Sequence, residues 1–111
     1  MTLAEVVYAH TADFPKHELY GLTSQIKRCA VSIPSNVAEG AGRQTRKELV
    51  NFLHIAQGLL SELDTQLDLA LRLKYMGVSA HKELNALMIR VDKMLTAFIK
   101  AEKRKTGRGK A

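Results

Sequence analysis

The residues of this 111-residue chain that could carry chemistry are few and scattered. They are one cysteine at position 29, four histidines at 10, 17, 54 and 81, a pair of aspartates at 64 and 68, and several clusters of lysine and arginine. Metal binding by helices needs ligands that return to one face, such as a Glu and a His three residues apart. The residues three before the histidines are Val7, Phe14, Asn51 and Val78, so that pairing never occurs. Neither HExxH nor paired cysteines are present, so no metal or cofactor is expected, and each histidine reads as a surface or helix-end residue. Cys29 falls on an apolar helical stripe, where a thiol is ordinarily buried and inert. Asp64 and Asp68 share a helix face, but Arg72 follows at the spacing that pairs with Asp68. The segment Gly40–Thr45 lacks the spacing of a phosphate loop. No acid, base, nucleophile and metal set can be composed, so the chain reads as non-enzymatic.

The basic residues offer a different chemistry, the binding of phosphate. Arg43, Arg46 and Lys47 stand at the start of a long helical pattern, where backbone amides and the helix dipole also favour anions. Lys103, Arg104, Lys105, Arg108 and Lys110 lie in the last nine residues with no acid among them. The net charge of +6 is largely theirs, since the rest of the chain holds 12 basic and 11 acidic residues. These eight residues are the candidate nucleic-acid contacts. The plainer reading is an exposed turn and a solubilising terminus. Basic and aromatic residues are not interleaved as they are in single-strand or RNA-recognition surfaces.

Helices must position these groups. Aromatics make up 5% of the chain and Trp is absent, which favours helix over sheet. No apolar run reaches the ~18 residues that cross a bilayer, no signal peptide is evident, and a lone cysteine suits a reducing compartment, so the expectation is a cytoplasmic protein. Thr2 and Glu5 form a capping box that opens a first helix of about three turns, with Leu3, Val6, Val7 and His10 on one face. Asp13-Phe14-Pro15 ends it. A second helix begins near Leu22, with Leu22, Ile26, Cys29, Ala30, Ile33 and Val37 as its stripe. Pro34 should kink that helix or make it restart, and Gly40 with Gly42 should mark its end.

The third helix should run from Thr45, capped through Glu48, to Tyr75, about 46 Å, with Gly77 ending it. Its apolar face includes Ile55 and Leu69 outside the main seam, wide enough for a second packing partner. Ser79 should cap a fourth helix whose seam is Leu84, Leu87, Met88, Val91, Leu95, Phe98 and Ile99, with Lys82, Arg90, Lys93, Lys100 and Lys103 on other faces. Short connections between four helices predict an all-α, antiparallel up-down-up-down four-helix bundle over residues 1–105, followed by a flexible basic tail over 106–111.

Three segments carry a family resemblance. Residues 14–28, from Phe14-Pro15 through Glu18, Tyr20-Gly21-Leu22 and Gln25 to Arg28, resemble the FPxxExYGLxxQxxR segment of the 23S rRNA intervening-sequence proteins. Ser32-Ile33-Pro34-Ser35-Asn36-Val37-Ala38-Glu39-Gly40 with Arg43 is similar to that family's SIPxNxAEGxxR signature. Residues 52–67 resemble its FLxIAxGSLxELxTxL run, with Leu59-Leu60 in place of Ser-Leu. The first helix begins about two turns later than is usual in the family.

The resemblance implies a four-helix bundle assembling as a homopentamer with a basic surface and no enzymatic role. It also implies a kinship in fold with the accessory variability determinant proteins of diversity-generating retroelements, which bind nucleic acid and a reverse transcriptase. Pro34, Asn36, Glu39 and Gly40 are then a structural signature. Asn36 and Glu39 would satisfy backbone groups freed by Pro34, and Arg43 would pair with Glu39. The expected function is non-catalytic association with RNA or DNA, with a reverse transcriptase as a candidate partner. The alternative is a protein-binding scaffold without nucleic-acid affinity.

Overall fold

A computed structural model describes residues 2–109, with side chains described as far as Lys105. Among the described residues there are four α-helices and no strand: α1 (Leu3–Thr11), α2 (Leu22–Ala41), α3 (Arg46–Arg72) and α4 (Val78–Gly109), with a 3-10 turn at Lys16–Glu18 between α1 and α2. None of these helices is long and apolar enough to cross a membrane. Each helix packs on its neighbours in chain order and α1 also packs on α4, closing a ring of four around one core. Facing residues set the register. From Cys29 to Gly40 of α2, the facing positions of α3 run back from Leu59 to Leu49. Along α3, Arg46, Gln57 and Asp68 meet Glu102, Thr96 and His81 of α4 in turn.

The helix starts follow local chemistry. Thr2 Oγ1 accepts the Glu5 N–H at 3.3 Å, while the Glu5 carboxylate accepts the Thr2 N–H at 3.0 Å. Those backbone and hydroxyl hydrogen bonds from Thr2 hold the Glu5 carboxyl below the usual carboxylate range. Thr45 Oγ1 accepts the Glu48 N–H at 3.1 Å and starts α3. The predicted seams form the core: Val7, Ile26, Ala30, Leu53, Ala56, Leu63, Leu67, Ala70 and Leu84 are fully buried.

Four expectations are corrected. Helix α2 does not restart at Pro34; it is one helix of 20 residues with the proline inside. Pro34 is exposed, and the burial of Ile26, Ala30 and Ile33 on the adjoining face offsets the roughly 3 kcal/mol that an interior proline costs. Asn36 donates to the Ser32 carbonyl at 2.7 Å and not to the carbonyl of Ala30 that Pro34 leaves without a donor. Gly42 caps the C-terminal end of α2, as expected, and Gly40 lies just inside it. A Cβ there would sit 2.7 Å from Phe52 Cβ, so the glycine lets α2 and α3 approach closely.

The third correction concerns the end of α3, which falls at Arg72 and owes nothing to Gly77. Lys74 takes the left-handed conformation at φ 62°. The Tyr75 N–H donates to the Ala70 carbonyl at 2.9 Å and the Lys74 N–H to the Leu71 carbonyl at 3.0 Å, a Schellman motif built on a lysine. Gly77 instead precedes α4 and takes the His81 N–H on its carbonyl at 3.1 Å, in the place expected of Ser79. Fourth, Phe98 is not a seam residue but is 36% exposed. The boundary at Thr106 is not marked by a break, because the helical backbone of α4 continues through Gly109; Lys110 and Ala111 lie outside the described residues.

The FPxxExYGL segment forms a compact corner. Phe14 packs on Tyr75 with ring centroids 5.7 Å apart. Glu18 Oε1 accepts the Leu22 N–H at 3.1 Å, capping α2, while Glu18 Oε2 accepts the Tyr75 hydroxyl at 2.9 Å. Gly21 makes room for this cap, since a Cβ there would fall 2.7 Å from Glu18 Oε1. The Leu22 N–H, and next the Tyr75 hydroxyl, hold the Glu18 carboxyl below its usual range. The same carboxylate pushes the Tyr75 hydroxyl up.

Candidate nucleic-acid interface

The predicted contacts separate into engaged and open groups. Arg43, just past α2, reaches Glu39 Oε1 at 2.6 Å and lies 5.0 Å over the Phe52 ring. The Glu39–Arg43 pairing is therefore as expected, and it holds Arg43 against α3. Arg46, in the first turn of α3, places Nε 3.4 Å from Glu102 Oε2, and Lys105 Nζ stands 3.2 Å from Glu102 Oε1. Glu102 is only 7% exposed, on the same face of α4 as Leu84, Leu95 and Ile99. A buried carboxylate must be paired. Two of the cations read as phosphate contacts thus neutralise an internal acid.

Lys47, Lys103 and Arg104 are exposed and form no ion pair among the described residues. The side chain of Arg108 and all of Lys110 fall outside what is described. Two further cations belong to the open group and are absent from the sequence-based set: Lys93 and Lys100. With Arg104 they follow at intervals of seven and four, which places all three on one side of α4. They line an open depression of about 430 Å³ together with Asp92, Thr96 and Ala97. Asp92 is its one acid. Gln57 of α3 donates to Thr96 Oγ1 at 3.2 Å beside it, which fixes that edge.

From Lys93 to Arg104 is about 16 Å along the helix axis, close to five base-pair steps of a duplex strand. No aromatic joins this face. Phe98, two residues before Lys100, points roughly 200° away around the helix. The arrangement can neutralise a row of phosphates but offers no platform for stacking bases. The signal was present in the sequence as a helical period of basic residues, which is weaker to the eye than a contiguous run such as Lys103-Arg104-Lys105.

The other reactive groups are occupied. Cys29 is buried and donates its thiol to the Leu59 carbonyl at 3.1 Å; burial pushes the thiol up to about 11. His10 pairs with Glu83, and His81 Nε2 stands 2.8 Å from Asp68 Oδ1. Asp68 therefore pairs across to α4 and not along its own helix with Arg72, a contact that depends on tertiary packing. Asp64 opens on a second depression of about 300 Å³ between α3 and α4, which shares Asp92 and Lys93 with the first. Among the described residues no group of three His, Cys, Asp or Glu could hold a metal ion.

This is a bundle-type all-α protein with a basic outer face on its longest helix. The model of the family described as "23S rRNA-intervening sequence protein" matches residues 1–97, and the chain belongs to that family. Nothing among the curated proteins matches it. A crystal structure of a protein of unknown function from the S23 ribosomal protein family of Bacteroides thetaiotaomicron VPI-5482 is similar, at 23% identity. The similarity covers 86% of this chain and 89% of that one with a TM-score of 0.77, which establishes the shared fold.

Proposed function

We propose that this chain is a non-catalytic, cytoplasmic nucleic-acid-associated protein that grips RNA or DNA through phosphate contacts. The open row Lys93, Lys100 and Arg104, extended by Lys103 and the basic terminus beyond it, carries this reading. The family name, with its reference to ribosomal RNA, supports RNA as the first ligand to try. The helices form an up-down-up-down bundle, and five copies assemble into a homopentamer that multiplies the basic faces. A kinship with the accessory variability determinant proteins makes a reverse transcriptase the protein partner to test. Arg43, Arg46 and Lys105 contribute through the field they create more than by direct contact, because each already holds a carboxylate.

The test is a fluorescence anisotropy titration of a labelled RNA hairpin and a DNA duplex of equal length over a range of salt. Binding that weakens linearly on logarithmic axes supports the reading. Absence of binding at low ionic strength overturns it and leaves the second reading, a protein-binding scaffold. That alternative rests on a specific observation: Tyr20 is 92% exposed and Met94 is 69% exposed, unusual for large apolar side chains.

A further inference from the structure

The two depressions on the α3–α4 side of the bundle adjoin, since Asp92 and Lys93 line both. Their chemistry differs. The first carries the cationic row of Lys93, Lys100 and Arg104. The second has an aliphatic floor. Leu60 of α3 and Met88 of α4 are buried there, and Ile89 next to Met88 is 49% exposed. Its volume of about 300 Å³ is at the lower limit for a small-ligand site.

Polar groups stand around this floor. Asp64 rises from α3 and Asp92 from α4, with the Asn85 amide seven residues before Asp92 on the same side of the helix. All three are exposed, and none has a side-chain hydrogen bond or ion pair among the described residues. Two carboxylates repel phosphate, so a polyanion laid along Lys93, Lys100 and Arg104 keeps its phosphates out of the second depression. What that depression accepts is a flat, weakly polar group with N–H donors on its edge. A ligand that spans both is therefore anionic at one end and carries such a group at the other, which is the chemistry of a nucleotide.

We propose that the second depression receives an unpaired nucleobase, guanine in preference to the others, from a single strand whose phosphate is held by Lys93. The site depends on the phosphate-binding role proposed above. Lys93 lines both depressions, so the nucleotide whose phosphate it meets has its base beside the second one. Asp64 lines only the second and is the acceptor for the base edge. A carboxylate accepts and does not donate. Among the four bases guanine alone presents two N–H groups side by side, at N1 and N2, which one carboxylate takes together; the others offer a single donor group. Leu60, Met88 and Ile89 cover the face of the base, in the place that aromatic side chains take in other single-strand sites. A paired base keeps its edge inside the duplex, so a duplex uses the phosphate row alone.

The test titrates the full chain, by fluorescence anisotropy at low salt, with labelled RNA heptamers of uridine that carry one central G, A, C or U. The G heptamer should bind about tenfold more tightly than the other three. It should also shift the Ile89 methyl in NMR spectra and leave the methyl of the fully buried Ile26 in place. Asp64→Asn separates base reading from charge. It removes a repelling carboxylate, so the U heptamer should bind as well as before or better, while the advantage of G disappears. If all four heptamers bind alike with a salt-dependent affinity, phosphate binding stands and the base site is overturned. If Asp64→Asn moves all four affinities equally, Asp64 acts through its charge alone and the base site falls as well. If no heptamer binds, both the base site and the phosphate-binding role are overturned.

Discussion

Arg46 Nε and Glu102 Oε2 stand 3.4 Å apart, joining the first turn of α3 to the distal part of α4. The carboxylate also accepts from Lys105 at 3.2 Å and sits in a setting that is otherwise core. Replacing it by the neutral isostere, Glu102→Gln, leaves two cations without their counter-charge. Stability should fall by about 1–3 kcal/mol, read by urea denaturation. Salt-dependent nucleic-acid affinity should rise as Arg46 and Lys105 are released. An unchanged midpoint would show that the knot is solvent-screened.

Gly40 and Gly58 form a matched pair of helical glycines. A methyl group at Gly40 would lie 2.7 Å from Phe52 Cβ, whereas at Gly58 it meets nothing within 4 Å. Gly40→Ala should destabilise by about 1–2 kcal/mol, overpacking outweighing the gain in helix propensity. Gly58→Ala should stabilise by up to about 1 kcal/mol. Thermal melts of the two variants against the parent decide both signs.

The capped helix starts were legible because Thr2 with Glu5 and Thr45 with Glu48 are local patterns, and the buried seams because their period is local as well. What the sequence concealed was long-range. Pro34 reads as a break until the burial of Ile26 and Ile33 is weighed against it. Phe98 reads as core until the packing leaves it 36% exposed. Arg46 and Lys105 read as open cations until Glu102 is found buried beside them. Lys93, Lys100 and Arg104 share a helical period that is legible in the sequence but weaker to the eye than the contiguous Lys103-Arg104-Lys105.

The Tyr75–Glu18 hydrogen bond sets a pH window. Glu18 has a depressed folded-state pKa, so its contribution is present above the usual carboxylate range, roughly 4, and is lost as the pH falls through it. Tyr75 is raised, so its contribution is present below the usual tyrosine range, roughly 10, and is lost as the pH rises through it. The stability difference between the parent and Tyr75→Phe should therefore be flat from about pH 5 to pH 9 and shrink on both sides. Denaturant titrations at pH 3, 7 and 11 check the shape. A difference independent of pH would assign Tyr75 a packing role alone.

Lys74 occupies a left-handed conformation that costs a residue with a Cβ about 1 kcal/mol. Lys74→Gly should raise the stability by about 0.5–1 kcal/mol without altering the Ala70–Tyr75 hydrogen bond. A fall in melting temperature would mean that the lysine side chain contributes more than the strain removes.

The central claim, phosphate binding by the outer face of α4, is tested most directly by the salt slope of a variant carrying Lys93→Ala, Lys100→Ala and Arg104→Ala. Each phosphate contact contributes roughly −0.9 to the slope of log affinity against log salt on a duplex. Loss of all three should flatten the slope by roughly 2.7 on the same basis, while Arg43→Ala should leave it nearly unchanged. An unaltered slope in the triple variant would contradict the account.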